Sequence, residues 1–395
     1  MMPGLILVPS RESDFNLKLK TEINSTDTRQ PTKNLLSALF CCQMLGAFVA
    51  IADDSSLVSL PLGVDKTAYY VPHDNPMTRS KVELGRLLFF DRRLSINNTV
   101  SCSSCHLPSR GFSNNTKAAI GIKEKQGNRN TPTIINRIAN ATQFWDGRAG
   151  SLEEQAIGPL TNPIEMGMPS LDAVVDKVSA IKGYRKLFNE AFGSNVSIEG
   201  LAKAIASFER TIISGNSRWD QFEAGNSSAL SDAEKRGLEI FEGKGRCNQC
   251  HSGWNLTDEK FHNLGIGWDQ KEVDLGRFQV TGLDEDKGAF KTPTLRDISE
   301  TGPYMHDGRF ASLEKVVEYY NDGAIDNPYL DPEMQRPDMT LEETLARYSK
   351  KNSTDAPPVK MLNLTYKERE DLVAFMLALS GEGWQNIQAP EAFPE

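Results

Sequence analysis

The sequence lacks an excess of positive charge, long apolar runs and alternating strand patterns, and each absence excludes a class of protein. It has 44 Lys and Arg residues against 53 Asp and Glu residues, which gives a formal net charge of −9. Because nucleic acid is bound by basic surfaces, no nucleic-acid partner is expected. Alternating strand patterns are rare, whereas apolar residues recur at helical spacing. This predicts a mainly α chain with long irregular loops.

The apolar run at residues 35–51 has the form of a secretory signal. It follows Lys33, is shorter than the roughly 20 residues that cross a bilayer, and ends in Ala50-Ile51-Ala52, a small-x-small cleavage pattern. Residues 1–52 are therefore predicted to be a signal peptide, with an over-extended start because the residues before Lys33 are polar. An uncleaved N-terminal anchor is the alternative. No segment of the mature chain is expected to span a membrane.

Cysteine is scarce, and its placement is regular. Two of the six cysteines, Cys41 and Cys42, lie in the signal, and the other four form two identical patterns: Cys102-Ser103-Ser104-Cys105-His106 and Cys247-Asn248-Gln249-Cys250-His251. C-x-x-C-H is the attachment pattern of c-type haem, in which two thiols bind one porphyrin and the histidine ligates its iron. Zinc sites and disulfides are alternatives, but neither explains a histidine directly after each pair. Two covalently bound haems c are predicted, with His106 and His251 as proximal ligands.

The sequence repeats itself after each haem motif. Thr131-Pro132-Thr133 matches Thr292-Pro293-Thr294, and the same offset of 161 residues aligns 146–153 with 307–314. This indicates two cytochrome c-type haem domains related by internal duplication. The Gly-, Asn- and Ser-rich stretch 215–231 is predicted to contain the boundary. The predicted N-terminal haem domain is therefore 53–228, and the predicted C-terminal haem domain is 229–395.

Local patterns predict individual helices and their starts. Ser231 with Glu234, and Thr365 with Glu368, have the spacing of capping boxes. A polar, proline-containing segment at 336–360 is predicted to be a surface insertion. Apolar residues recur at helical spacing in five segments: 171–192, 198–212, 232–243, 312–321 and 366–379.

Differences between the two copies indicate unequal sites. Tyr320 corresponds to Pro159, and His306 corresponds to Trp145. Tyrosine can ligate haem iron, whereas proline has no side-chain donor. If this position faces the iron, the second haem is closed by Tyr320 and the first is left open. From these residues alone, a packed aromatic is an equal alternative for Tyr320, and core packing is the alternative for Trp145 and His306.

Longer blocks around these residues resemble the bacterial di-haem cytochrome c peroxidase superfamily, which includes MauG. The resemblance covers about residues 80–385. Its blocks are Arg129-Asn130-Thr131-Pro132-Thr133, Phe144-Trp145-Asp146-Gly147-Arg148-Ala149, Gly158-Pro159 with Glu165-Met166, and Pro303-Tyr304-Met305-His306-Asp307-Gly308.

The resemblance implies a role for several residues of the first domain, which would react with peroxide. Trp145 would lie between the haems and conduct electrons. Glu165 would be the acid/base for peroxide over the first haem, with Gln155 and Pro159 in the same distal pocket. The second domain would transfer electrons, with Tyr320 as a ligand of its haem iron.

The resemblance also implies a calcium ion between the haem domains. Its ligands would be Asn130 and the main-chain oxygens of Thr301 and Pro303.

Two departures from ordinary peroxidases favour the MauG/MbnH-like branch of the superfamily. Ordinary members place a histidine before the Arg-Asn-x-Pro-Thr block, where this chain has Ile120-Gly121-Ile122 and no histidine until His251. They also use methionine where this chain has Tyr320, and an anionic oxygen ligand favours ferric and higher states.

A third difference concerns the exit of oxidising equivalents, since MauG has a tryptophan where this chain has Gly245. Other tryptophans are candidates for that route: Trp219, Trp254, Trp268 and Trp384.

The expected function is that of a periplasmic peroxidase or oxidase that uses hydrogen peroxide to form a high-valent iron state and oxidises a residue of a partner protein. The alternative is a peroxidase that reduces hydrogen peroxide to water with electrons from a small c-type cytochrome. A two-haem electron carrier is the non-enzymatic alternative. Glu165 and the open position at Pro159 argue against a carrier, because electron transfer requires neither an open iron position nor a carboxylic acid beside it.

Overall fold

A computed structural model describes residues 57–334 and 362–395, so the predicted signal peptide and the whole of the predicted insertion at 336–360 lie outside the described residues. The predicted mainly α fold is confirmed. The only two strands in the described part, β1 (Phe261–His262) and β2 (Phe290–Lys291), form one antiparallel pair. The helices are α1 Arg79–Phe90, α2 Cys102–Cys105, α3 Leu152–Thr161, α4 Leu171–Ser179, α5 Lys182–Phe192, α6 Ile198–Glu209, α7 Arg218–Glu223, α8 Asp232–Glu242, α9 Phe278–Thr281, α10 Leu313–Asp322 and α11 Tyr366–Leu377.

Both predicted capping boxes are present. At the start of α8, the Ser231 hydroxyl accepts from the Glu234 N–H while the Glu234 carboxylate accepts from the Ser231 N–H. The same reciprocal pair joins Thr365 and Glu368 at the start of α11. Each pair satisfies two N–H groups that have no partner inside the helix, which fixes where these helices begin.

The prediction of a single helix over 171–192 is wrong, because the chain breaks at Ile181, which has an extended backbone. α4 buries Val174 and Val178, and α5 buries Tyr184 and Phe188. A six-residue step from Val178 to Tyr184 would place these side chains on different faces of one continuous helix. The break realigns them, so that both helices bury their apolar side chains in one core.

Each half contains one close helix crossing with a glycine at the contact. α1 packs on α6, and α8 packs on α11. A Cβ at Gly85 would lie 1.9 Å from the main-chain oxygen of Ala204, and one at Gly237 would lie 2.0 Å from that of Asp371. No residue other than glycine fits either crossing without moving the helices apart.

The backbone confirms the internal duplication. Asn136 and Asp297, separated by the offset of 161, both adopt left-handed conformations, with φ of 58° and 54°. Phe144 and Met305, at the same offset, have φ of 69° and 73°. Small antiparallel bridges close the following turns at corresponding places, between Gln143 and Ala149 and between Tyr304 and Phe310. α3 and α10 then begin at corresponding residues.

The chain forms two main apolar cores, and its C-terminal tail packs on the first of them. Trp384 is buried with side chains of α1, α5 and α6. Arg86 donates to the main-chain oxygen of Gln388 at 2.8 Å, and Arg93 donates to that of Pro394 at 3.0 Å. The end of the chain therefore contacts the half that carries the first haem motif. The domain boundary near residue 228 stays a prediction.

Within the described residues, no helix combines the length and apolarity needed to cross a membrane.

Candidate functional site

The first haem motif opens onto a cavity of about 910 Å³ whose wall contains Cys102, Cys105 and His106. The imidazole Nδ1 of His106 lies 3.0 Å from the main-chain oxygen of Phe112, which accepts its proton. That hydrogen bond fixes the tautomer and leaves Nε2 as the nitrogen available to a metal. Burial lowers the pKa of His106 to about 4, so the imidazole is neutral, as a metal ligand must be.

The second motif repeats this arrangement in a smaller cavity of about 210 Å³, whose wall contains Cys247, Cys250 and His251. The Nδ1 of His251 lies 3.0 Å from the main-chain oxygen of Leu256. Leu256 has a φ of 50°, and this left-handed conformation is shared by Phe112, the partner of the first histidine, with a φ of 54°. Burial lowers the pKa of His251 as it does that of His106, and both motifs therefore present the imidazole in the same way.

The four cysteines of the motifs suit thioether attachment better than zinc or disulfides. All four are free. Burial raises the pKa of Cys105 to about 11 and that of Cys247 to about 12. Among the described residues, no group spaced to hold a metal ion contains both cysteines of one motif. The donor set thus fits two haem groups, each with one histidine ligand.

Glu165 lies in the wall of the first cavity with its carboxylate unpaired. Its backbone is held in place, since its carbonyl accepts from the Ile122 N–H at 2.9 Å. Its carboxylate forms no hydrogen bond or ion pair with any described residue. Burial raises its pKa, and the nearby guanidinium of Arg148 opposes that shift. A half-buried carboxyl of this kind can both accept and return a proton.

Pro159 and Gln155 are one turn apart on α3 and line the same cavity as Glu165. The Pro159 carbonyl accepts from the Met166 N–H at 3.3 Å, which ties the end of α3 to the segment that carries Glu165. The side-chain amide of Gln155 has no hydrogen-bond partner among the described residues. The structure therefore brings together the three residues predicted to form the first distal pocket.

Tyr320 occupies the corresponding place on α10 and lines the second cavity with His251. Its hydroxyl forms no hydrogen bond with any described residue. Burial raises the pKa of this phenol well above its ordinary value. A Tyr320 ligand would therefore lose its proton only to a cation such as ferric iron, because a bound metal reverses the effect of burial.

Trp145 lies between the two sites, in the wall of both cavities. Its indole N–H donates to the main-chain oxygen of Asn130 at 2.8 Å. His306, the corresponding residue of the second half, also lines both cavities and stacks on Phe290 with ring centroids 3.5 Å apart. Both rings are thus held by specific contacts at the boundary between the sites.

Comparison with known proteins identifies the family to which the chain belongs. The family model for di-haem cytochrome c peroxidase matches residues 79–228. Methylamine utilization protein MauG of Methylorubrum extorquens is 41% identical over 319 residues, which cover 79% of this chain and 82% of that protein. The chain belongs to the di-haem cytochrome c peroxidase family.

Two further relatives span both named branches of the family. Cytochrome c551 peroxidase of Nitrosomonas europaea is 42% identical over 247 residues, which cover 62% of this chain and 73% of that protein. The crystal structure of a MauG-like protein associated with microbial copper homeostasis has a TM-score of 0.67 and 32% identity, and it covers 86% of this chain and 97% of that chain. Membership makes this chain a haem peroxidase-type oxidoreductase.

Three residues were expected to bind calcium, and all of them line the second cavity: Asn130, Thr301 and Pro303. The side-chain amide of Asn130 donates to Thr116 O at 3.1 Å. The side-chain oxygen of Asn130 and the main-chain oxygens of Thr301 and Pro303 accept no hydrogen bond from any described residue. Unpaired neutral oxygens are ligands that calcium accepts.

Four of the five tryptophans have no contact with either cavity. Trp384 donates to Asp297 at 3.1 Å and is buried. Trp219 and Trp254 contact the guanidinium of Arg296, and Trp268 packs against Tyr329. Trp145 is the one tryptophan among the described residues that lines either of these two cavities.

Arg137 is a residue that the sequence interpretation missed, although a signal was present. It is 6% exposed and lines both cavities. At the offset of 161 it corresponds to Ile298, so one copy has a guanidinium where the other has an apolar side chain.

Proposed function

We propose that this chain is a periplasmic di-haem enzyme of the MauG/MbnH-like kind, which reacts with hydrogen peroxide at its first haem and oxidises a residue of a partner protein. The observation that carries the proposal is the contrast between α3 and α10. Pro159 gives the first cavity no ligand at the place where Tyr320 gives the second cavity a phenol. A peroxide-reactive site needs an open iron position, and a site that stores oxidising equivalents does not.

The two haems would be covalently held by Cys102 with Cys105 and by Cys247 with Cys250. His106 and His251 would be the proximal ligands, oriented by the main-chain oxygens of Phe112 and Leu256. Calcium would bind Asn130, Thr301 and Pro303 at the second cavity. When bound, the haem supplies the redox chemistry that breaks the oxygen–oxygen bond of peroxide.

Glu165 would move the proton in this reaction. Its unpaired carboxylate takes a proton from one oxygen of hydrogen peroxide and returns it to the other, which leaves as water. Gln155, also unpaired, is placed to orient the peroxide by hydrogen bonding. The contact of Pro159 with the Met166 N–H keeps Glu165 in position during the transfer.

Trp145 would connect the two sites. It lines both cavities, and the Asn130 carbonyl holds its indole N–H at 2.8 Å. Electrons would pass through this ring from the second site to the first. Tyr320, as a phenolate, would stabilise the oxidised second site, because an anionic oxygen ligand favours ferric and higher states.

A peroxidase that takes electrons from a small c-type cytochrome is the second candidate. It is favoured by the 42% identity to cytochrome c551 peroxidase of Nitrosomonas europaea over 247 residues. It is also favoured by Gly245, since this chain has no tryptophan at that position of the second cavity wall.

The experiment that separates the two functions compares fully ferric holoprotein with holoprotein reduced by one electron. Each is mixed with one equivalent of hydrogen peroxide, and the haem spectrum is followed by stopped flow. The proposed function predicts that the ferric protein reacts at once, and that its later turnover with a reduced small c-type cytochrome is slow. A reaction that requires prior reduction, followed by fast cytochrome turnover, would support the second candidate and contradict the first.

A further inference from the structure

Arg137 is buried between the two haem cavities without a counterion. It follows the Asn136 turn and is one of the few residues that line both cavities. Its Nε donates to the main-chain oxygen of Thr133 at 2.7 Å. Its two Nη groups form no hydrogen bond with any described residue, and no described carboxylate lies within ion-pair distance of it.

The other two arginines that line the first cavity, Arg129 and Arg148, are already paired with aspartates. Arg129 forms ion pairs with Asp146 at 2.6 Å and with Asp274 at 2.7 Å. Three arginines each have their own carboxylate partner: Arg148 pairs with Asp146, Arg296 with Asp220, and Arg309 with Asp307 and Asp269. Arg246, which lines only the second cavity, is partly exposed, so among the described residues Arg137 is the buried guanidinium with free donors that lines both cavities.

Neither carboxyl near Arg137 forms an ion pair with it, although the charges of Glu259 and Glu209 both favour its charged form at longer range. Glu259 is paired with Lys291, whose Nζ lies 2.5 Å from its Oε2. Glu209 lines the first cavity, is 4% exposed and has no hydrogen-bond partner for its Oε2. Burial raises the pKa of Glu209 to about 8, so this carboxyl is mostly neutral at pH 7. A buried cation without an anion is strongly unfavourable, so the site needs an anion from elsewhere.

We propose that Arg137 is a shared counterion that receives a propionate carboxylate from each haem. The propionates are the anionic groups on a haem, and the planar guanidinium pairs well with carboxylates. One positive charge would then lie close to both irons and favour the ferrous state in both. Arg137 would thus raise both reduction potentials together, whichever of the two candidate functions the enzyme performs.

The test is a spectroelectrochemical titration of both haems in holoprotein carrying Arg137→Gln. Both reduction potentials should move to more negative values, because removal of the positive charge stabilises the ferric states. Arg137→Lys, which keeps the charge without the two-pronged geometry, should give smaller shifts at both haems. Two haems per chain, measured as pyridine haemochrome, must be retained in each variant, and the lysine variant serves if the glutamine variant does not fold.

Two matched variants separate a shared role from a local one. Arg148→Gln removes a guanidinium that lines only the first cavity, and Arg246→Gln removes one that lines only the second. Each should shift the potential of its own haem alone. Unchanged potentials in Arg137→Gln and Arg137→Lys, or a shift confined to one haem, would overturn the proposal.

Discussion

At corresponding places in the two halves, α3 carries Pro159 and α10 carries Tyr320. The motif histidine, the turns that follow it and the helix crossing are alike in both halves. The other residues that line the two cavities differ. Charged side chains such as Glu165 and Arg148 line the first cavity, whereas the second is lined mostly by apolar side chains such as Leu313 and Leu372. One duplicated scaffold therefore presents the same proximal ligand in two environments, and the distal wall decides which chemistry each half can perform.

The largest expected effect tests the acid/base assigned to the first site. Glu165→Gln should slow the reaction with peroxide by about 10²–10⁴-fold, because an amide cannot take and return a proton. Stopped-flow mixing of ferric holoprotein with hydrogen peroxide measures this rate. The exposed carboxylate of Glu223 on α7 provides the control, since Glu223→Gln should react like the wild type. A wild-type rate in Glu165→Gln would remove the residue from the mechanism.

The same rate should depend on pH in a predictable direction. Glu165 must be ionised to accept a proton, and burial raises its pKa. The rate should therefore fall on acidification at a higher pH than an ordinary glutamate would give. This acid limb should disappear in Glu165→Gln, and its persistence there would assign the limb to another group.

The next effect tests the ligand assigned to the second site. Tyr320→Met should raise the reduction potential of the second haem by a substantial part of the about 0.8 V that axial ligands span, because methionine favours ferrous iron. Potentiometric titration measures the shift. Tyr319→Phe is the matched control, since the Tyr319 hydroxyl donates to Leu264 O at 2.6 Å and does not line the cavity. Equal potentials in Tyr320→Met and the wild type would show that the phenol is a packed aromatic.

A smaller effect tests whether the shared scaffold is equally tight in both halves. Gly85→Ala and Gly237→Ala should each lower the free energy of unfolding by about 3 kcal/mol or more, because the new methyl group would meet main-chain oxygen. Denaturant unfolding of holoprotein measures this loss. Gly150→Ala, at an exposed position where the nearest atom would be a Glu154 carboxylate oxygen 3.6 Å away, should instead change the free energy of unfolding by no more than about 0.5 kcal/mol. A large loss in only one of the two crossings would show that the halves are not packed alike.

The smallest effect concerns a pH-sensitive group present only in the second half of the described chain. His262 lies 2.9 Å from both Asp331 and Asp258. Its hydrogen bonds with Asp331, Cys250 and Asp258, in decreasing order of effect, raise its pKa to about 11. Because the pKa is raised on folding, the stabilisation is complete below about pH 6.5 and is lost as the pH rises towards 11. His262→Gln should therefore cost about 1–3 kcal/mol at pH 6 and less at pH 10.

Denaturant unfolding at both pH values measures this difference. His73→Gln, at an exposed histidine of the first half, should change the free energy of unfolding little at either pH. A cost in His262→Gln that is the same at pH 6 and pH 10 would contradict the assigned charge.

Local signals predicted much of this molecule. The C-x-x-C-H motifs, the offset of 161 and the capping boxes at Ser231 and Thr365 depend on residues close together in the chain, and the structure contains the motif histidines, the repeat and the caps where they were expected. The family resemblance also predicted that Glu165, Gln155 and Pro159 would share one cavity wall.

Features that depend on packing between distant segments could not be predicted in this way. The break at Ile181 follows from the faces that α4 and α5 must bury. The two aspartate partners of Arg129 lie in different halves of the chain. The C-terminal tail, likewise, packs on α1, which is distant from it in the sequence. The sequence does show that Arg137 corresponds to Ile298 in the second copy. That Arg137 has no counterion becomes visible only when the positions of the surrounding carboxylates are known.

The unequal distal walls can be tested most directly by low-temperature EPR of the ferric holoprotein. A first site left open by Pro159 and a second closed by Tyr320 predict one high-spin and one low-spin ferric haem of equal intensity. The low-spin signal should change in Tyr320→Met while the high-spin signal stays. Two low-spin haems in the wild type would contradict the open first site and return the chain to the peroxidases that need prior reduction.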